Sequence, residues 1–552
     1  METQSNPREA SPVVPPQAHA ALPWAGSVGG LLRERARDYP TTRFFRCSGD
    51  WRTFEDIDRS TDRVALGLYE KGVRKGDRVI VISANRDELI EVFLACAKLG
   101  AIQVPLNIFL KGDFLSHQIT DADAKIAIVD AAAWQGLSRL IHQTAITRVI
   151  ALDEFDEIEM SGVVITPYAA IAASIGSVPE VDVSAGDLMS ILYTSGTTGM
   201  PKGCMLPHGY YRYAPYQYLK DGKILPGDRL MTAFPFFHTS AQVYMLMVAL
   251  VAPAELRLTQ AFSASTFMAQ ARAECATAII GVGAMAATLL AQPPRPDDAA
   301  PGSLRMASFT PMSEEMQLRF ESRFGVPTWG EGFGQTECMP ICHMVTENRK
   351  RSANGLAADC LEVTVVDDED HVVPPGVVGE IVVRPRHPNI MYQGYWRKPE
   401  ATLSAMRNYW HHTGDFARMD AEGFVYFVDR KQQALRRRGE NVSSIELETA
   451  IRKHADVVDV AVHAVPSALT EDDIKAVIVP REGHALEPRS LFAFFLESLP
   501  YFAVPRYVEL RTSLPTNALG RVMKNVLKAE GVTAGTWDLE TMGLVVPKSQ
   551  RR

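Results

Sequence analysis

The chain has 552 residues, 46% of them hydrophobic, and a net charge of -8 at pH 7. That length exceeds one ordinary domain and leaves room for at least two cores. The acidic balance excludes the basic footprint of a nucleic-acid binder and a polybasic membrane patch, and no charge-free apolar run reaches the roughly 18 residues of a membrane span.

Residues 1–22 open with METQSNPREASPVVPPQAHA, whose prolines and charges suit a disordered leader, not a signal peptide. Cys47, Cys96, Cys204, Cys275, Cys338, Cys342 and Cys360 are scattered, odd in number and without a CxxC pair. They point to reduced thiols and a cytoplasmic protein. Helix and strand patterns then alternate. GGLLRERARDY (29–39) spaces its apolar residues as a helix does, and DRVIVIS (77–83) is a buried strand. ELIEVFLACAKLG (88–100) is an amphipathic helix closed by glycine, and AIQVPLN (101–107) and AKIAIVD (124–130) are further strands. The alternation predicts an α/β fold class, with doubly wound mixed or parallel sheets in a large N-terminal domain.

LMSILY (188–193) reads as a strand and runs into YTSGTTGMPKG (193–203). Glycines let a loop present backbone N–H groups to an anion, hydroxyls add donors, and a lysine adds a mobile charge. A phosphate-holding loop is the natural reading, though not a P-loop, because no Ser or Thr follows Lys202. Further on, GFVYFVDR (423–430) is a strand that leads into the charged KQQALRRRGEN. IELETAIRKH, VVDVAVHAVP, DIKAVIVP, RSLFAFFLESL and YVELRTSLP then read helix, strand, strand, helix, strand. They form a compact α+β unit. The expected boundaries are a large domain at 23–430, a hinge at 431–433 and a small mobile domain at 434–552.

The loop string resembles the signature of the adenylate-forming superfamily of acyl-CoA synthetases, peptide-synthetase adenylation domains and luciferases. The resemblance covers about residues 25 to 530. It implies that the loop grips the β- and γ-phosphates of ATP. Thr194, Ser195, Thr197 and Thr198 would supply hydroxyls, Gly196 and Gly199 backbone N–H groups, and Lys202 positive charge. GEGFGQTE (330–337) is similar to the family's aromatic-Gly-x-Thr-Glu segment. Phe333, with Gly334, would hold adenine, Thr336 would touch the α-phosphate and Glu337 would hold Mg²⁺. HHTGD (411–415) resembles the TGD motif, in which Asp415 binds the ribose hydroxyls, with Arg430 reaching the same sugar. Gly439 would lie where the pantetheine arm of CoA enters. The run Arg436–Arg438 is either a solvated face or a contact for CoA phosphates. FPFFHTSAQ (234–242) makes His238 an acyl-pocket candidate. CMPICH (338–343) lacks the ligands of a zinc site.

The resemblance implies two half-reactions on one site: a carboxylate attacks the α-phosphorus of ATP, then a thiol displaces AMP. ATP, Mg²⁺ and CoA are the expected cofactors, and a small-molecule acid is the partner, with a monomer or homodimer and neither nucleic acid nor membrane. Three departures stand out. Arg521 occupies the place of the family's catalytic lysine, and Lys524 lies three residues later, so either could serve. Gln432 occupies the hinge position. In ASFTPMS (307–313), where the family often has a Gly-x-Pro run, Phe309 or Thr310 stands in place of glycine and would narrow the acyl pocket, which suggests a small, flat or aromatic acid. RRGENVSSIELE and GRVMK look most like the crotonobetaine/carnitine–CoA ligase group. An adenylating enzyme that passes its group to an amine, or diazotises with nitrite, without CoA, is the alternative.

Overall fold

The computed structural model describes residues 22–155, 161–194, 200–220, 222–300, 302–430, 434–437, 440–467, 472–515 and 522–550. All but the last residue of the expected leader lies outside them, as does the expected hinge at 431–433. Two seven-stranded sheets carry most of the chain. The first runs, in spatial order, Val164–Pro167, Arg148–Ala151, Ile126–Val129, Arg78–Ile82, Ile102–Pro105, Leu188–Thr194 and Lys202–Pro207. Neighbours are parallel except the last pair, which is antiparallel. Arg78–Ile82 and Ile126–Val129 are short apolar runs buried along nearly their whole length, as strands covered on both faces must be.

The helix Asp87–Leu99 shows why the sequence folds this way. Asp87 and Glu88 lie at its electropositive start, and Gly100 closes it at φ 66°, a left-handed turn that costs glycine nothing. Every side chain from Leu89 to Leu99 is buried, so this helix is wedged between layers. Its two buried charges are paired: Lys98 lies 2.7 Å from Asp58 and 2.6 Å from Asp62, and Glu91 accepts from the Tyr168 hydroxyl at 2.5 Å.

The second sheet orders Thr328–Trp329, Met306–Thr310, Ala278–Val282, Arg229–Thr232, Glu255–Leu258, Arg43–Arg46 and Arg52–Thr53. One apolar cluster joins the two sheets, from Val79 and Ile126 through Phe93 to Phe45, Leu256 and Ile280. A third, five-stranded antiparallel sheet holds Leu361–Val366, Val378–Pro385 and Trp410–Met419, with Val425–Arg430 on one side. The doubly wound mixed reading fits the first two sheets, each parallel but for one antiparallel edge pair, and the third sheet is antiparallel throughout.

After residue 440 a four-stranded sheet, Val457–Pro466, Asp472–Pro480, Tyr507–Leu510 and Thr536–Asp538, packs with the helices Ser444–Ile451, Pro488–Ser498 and Lys524–Glu530. It has its own core. Phe114 of the helix Gly112–Ala122 joins that core, and the Phe109 ring meets Tyr501 edge-on at 4.4 Å. No helix of the described residues is long and apolar enough to cross a membrane.

Candidate active site

The phosphate-loop candidate connects two antiparallel strands, Leu188–Thr194 and Lys202–Pro207, as a hairpin and not as a strand-to-helix turn. Ser195, Gly196, Thr197, Thr198 and Gly199 lie outside the described residues. The two ends are described: Thr194 stands opposite Lys202, and its hydroxyl donates to the Lys202 carbonyl at 3.4 Å. The segment MYQGYW (391–396) pairs along the outer strand, with Met205 N–H donating to Gly394 and Trp396 N–H to Gly203. This brings Tyr395 to Lys202, whose Nζ lies 4.4 Å from the Tyr395 ring centroid.

Tyr395 also links to the metal candidate. Its hydroxyl donates to Glu337 Oε1 at 2.7 Å, and Tyr392 N–H donates to the Glu337 carbonyl at 2.9 Å. Thr336 and Glu337 form the tip of a tight hairpin, since Gln335 pairs with Cys338 across it. Glu337 is nonetheless buried, 8% exposed, because its side chain turns in to Tyr395. Burial first, and the Glu337 carboxylate second, push the Tyr395 phenol well above its ordinary range, so it stays a donor. Lys202, Tyr395 and Glu337 therefore converge.

The ribose candidates lie next to this hairpin. Asp415 sits on Trp410–Met419 directly opposite Arg430 on Val425–Arg430. Asp415 is 2% exposed and accepts from Gln335 Nε2 at 2.6 Å. The rings of Phe333 and Phe427 lie 6.0 Å apart and tilted by 32°, an aromatic pair beside Gln335 and Asp415. Gly334 continues the Phe333 strand toward the hairpin tip.

His238 is half-buried beside the Phe237 ring at 4.8 Å. Its segment is tied to the first sheet: Gln242 Nε2 donates to the Phe236 carbonyl at 2.9 Å, Tyr211 donates to Gln242 at 2.7 Å, and Tyr211 meets Ser190 at 2.6 Å. That chain holds the acyl-pocket candidate in register with the phosphate strand. Thr310, half-buried at the end of its strand, points its methyl toward Gly332.

Phe309 needs correction. Its ring is fully buried against Phe320, with centroids 5.3 Å apart, in a core cluster. The space is supplied by Gly281, where a Cβ would come within 2.8 Å of the ring. Phe309 thus fills the core beside Gly281 and does not narrow an acid cavity. Gly281→Val is expected to cost about 1–3 kcal/mol by overpacking. Urea denaturation would read that loss, and combined with Phe309→Ala the two costs should be less than additive, because the valine fills part of the space the ring leaves.

Other expectations separate in the same way. Arg437 is 5% exposed, donates to the Val504 carbonyl and lies 3.4 Å from Asp473, so the middle of the arginine run faces inward, neither solvated nor free for CoA. Lys524 donates to Ser444 at 2.8 Å and pairs with Glu448 at 2.6 Å. Gly439 and Arg521 lie outside the described residues. Cys338 and Cys342 are buried in an apolar cluster, and burial pushes the Cys342 thiol up to about 12, which suits neutral thiols and not metal ligands. The sequence reading missed Tyr392, Tyr395, Gln335 and His411. Gln335 and His411 lay inside quoted motifs, and the tyrosines lay in an unquoted segment rich in aromatics.

Burial pushes His208 and His411 down to about 4. The unfolded imidazole titrates near 6.5. Between those values the unfolded chain binds protons that the folded chain refuses, so stability falls as pH falls. The slope is up to about 1.4 kcal/mol per pH unit for each histidine. Glu446, which burial pushes up to about 8, acts in the opposite sense over the same window, so the test is comparative: the fall in urea midpoint from pH 7 to pH 5 should be smaller in His411→Phe than in the parent, and an equal fall would contradict the neutral state of that ring.

Comparison with known proteins gives the following. The AMP-binding enzyme model matches residues 32–396, and the AMP-binding enzyme C-terminal domain model matches residues 446–521. The chain is 31% identical over 495 residues to the crotonobetaine/carnitine–CoA ligase of Salmonella arizonae, covering 88% of this chain and 95% of that one. Among solved structures it resembles o-succinylbenzoate CoA synthetase from Bacillus subtilis, with TM-score 0.77, 23% identity and 90% and 98% of the two chains covered. It also resembles the amide bond synthetase McbA from Marinactinospora thermotolerans, with TM-score 0.78, 23% identity and 90% and 99% covered. At these identities the two structures share the fold.

Proposed function

The chain belongs to the family of AMP-binding enzymes, and we infer on that footing that it is an ATP-dependent, AMP-forming acid–CoA ligase. The observation that carries this reading is the meeting of Lys202, Tyr395 and Glu337 at the end of the phosphate hairpin. Lys202 sets a positive charge where phosphates enter, and its stacking on Tyr395 fixes its direction. Glu337 would hold Mg²⁺. Among the described residues no group of three or more His, Cys, Asp or Glu gathers, which suits a cation that takes one or two carboxylates and fills its shell with water and substrate phosphates. When bound, the ion supplies charge against the triphosphate. Thr336, beside Glu337 on the tip, would meet the α-phosphate, and Asp415 with Arg430 would hold the ribose. Phe333 would stack on adenine.

The acid would lie along the His238 and Phe237 rings, tilted 40° to one another, an aromatic lining that would take a small or aromatic carboxylate. Arg521 would bring its guanidinium to the carboxylate and α-phosphate. The small C-terminal domain would turn about 431–433 between adenylation and transfer to CoA. ATP–pyrophosphate exchange over a panel of acids tests the first half-reaction. Short aliphatic, aromatic, long-chain and carnitine-like acids belong in the panel, the last because a relative's name carries them. Exchange that depends on one class of acid is expected. Exchange with no acid dependence would overturn the reading.

A further inference from the structure

We infer that Gln335 and His411 are positioning residues for Asp415, joined to it by one hydrogen-bond chain that is buried at its His411 end and half-buried at Gln335, and that they set how sharply the site reads the ribose hydroxyls of its nucleotide. This rests on the ribose role proposed above for Asp415. Gln335 lies on Phe333–Gln335 and Asp415 on Trp410–Met419, strands of two different sheets. The Gln335 amide nitrogen donates to Asp415 Oδ2 at 2.6 Å and to the Thr413 carbonyl at 2.7 Å.

A carboxylate and a carbonyl only accept, so both amide hydrogens are committed. Gln335 Oε1 must then be the acceptor toward His411 Nε2, at 3.4 Å. The proton of the imidazole therefore sits on Nε2, and Nδ1 accepts from the Tyr392 hydroxyl at 3.1 Å. The donors run in one direction: Tyr392 to His411 to Gln335 to Asp415.

His411 is 1% exposed and Tyr392 8%. Polar groups at that depth cost free energy unless bonded, so each link holds the next in a single orientation. Burial keeps the imidazole neutral at ordinary pH, with its pKa pushed down to about 4, and the order of donors persists. Tying Oδ2 fixes the plane of the Asp415 carboxylate and the directions in which it accepts hydrogen bonds. Two vicinal hydroxyls are read by direction as much as by charge.

The test compares ATP, 2′-deoxy-ATP and 3′-deoxy-ATP in acid-dependent pyrophosphate release. Gln335→Met keeps length and removes both amide hydrogens. It is expected to raise the KM for ATP about tenfold, the size of one lost charge-assisted bond, with a far smaller effect on kcat. The preference for ATP over either deoxynucleotide should shrink toward one, and the deoxynucleotide KM values should stay near those of the parent enzyme. His411→Phe should shift the same preference in the same direction. Adding Gln335→Met to Asp415→Ala should change nothing more. If Asp415→Ala loses the preference while Gln335→Met keeps it, the inference is overturned. If Asp415→Ala keeps the preference, the ribose role itself fails, and the inference fails with it. A loss of stability alone would lower activity for all three nucleotides equally, which also contradicts it.

Discussion

Glu337→Ala is expected to slow acid-dependent pyrophosphate release by about two to three orders of magnitude, the range for losing one preorganised electrostatic group. The carboxylate stands at the tip of a two-residue hairpin, and Tyr395 holds it at 2.7 Å beside Lys202. Its removal would take away the charge proposed to anchor a cation against the phosphates. The alanine also leaves the Tyr395 hydroxyl without its acceptor, at a cost of about 1–3 kcal/mol. Glu337→Gln separates the two effects. It keeps an oxygen for Tyr395 and removes the charge, so it should fold like the parent and still be slow. A folded glutamine variant with near-parent pyrophosphate release would remove Glu337 from the chemistry.

Arg521→Ala is expected to lose adenylation by about two to three orders of magnitude while still forming thioester from supplied acyl-AMP. Lys524→Ala is expected to do neither. Lys524 begins the helix Lys524–Glu530, where a cation opposes the helix dipole. It is held there by Glu448 and Ser444, and Glu448 in turn accepts from Val462 N–H at 2.7 Å. A lysine spent on closing the small unit is poorly free to reach substrate. Its loss leaves Glu448, 6% exposed, with only the longer contact to Arg452 at 3.9 Å, and should cost about 1–3 kcal/mol in urea denaturation. Arg521→Lys should recover part of the rate, because lysine restores the charge and not the planar fork. Adenylation lost in Lys524→Ala and kept in Arg521→Ala would reverse the assignment.

What the sequence made legible follows from how local each feature is. Runs such as DRVIVIS and ELIEVFLACAKLG became the strand Arg78–Ile82 and the helix Asp87–Leu99 because their pattern and caps are written in neighbouring residues. The order of motifs pointed to one nucleotide site for the same reason. The hairpin around the phosphate loop was not legible, because the partner of Leu188–Thr194 is decided by where Lys202–Pro207 packs. Phe309 misled because a large residue at a pocket position says nothing about which way it turns. Gly281, 28 residues earlier in the chain and adjacent only through strand pairing, decides that. Tyr395 and His411 escaped because their partners come from segments far off in sequence, Glu337 for one and Gln335 for the other. Arg437 escaped for the same reason, since its partners Val504 and Asp473 are distant.

The most direct test of the central claim is AMP release with Mg-ATP and the best acid of the panel, run with and without CoA, with the products identified by mass spectrometry. An acid–CoA ligase predicts slow AMP release without CoA and sustained turnover to acyl-CoA with it. Turnover that ignores CoA and requires an amine, or nitrite with an aryl amine, would contradict the ligase and assign the activated group to a nitrogen acceptor.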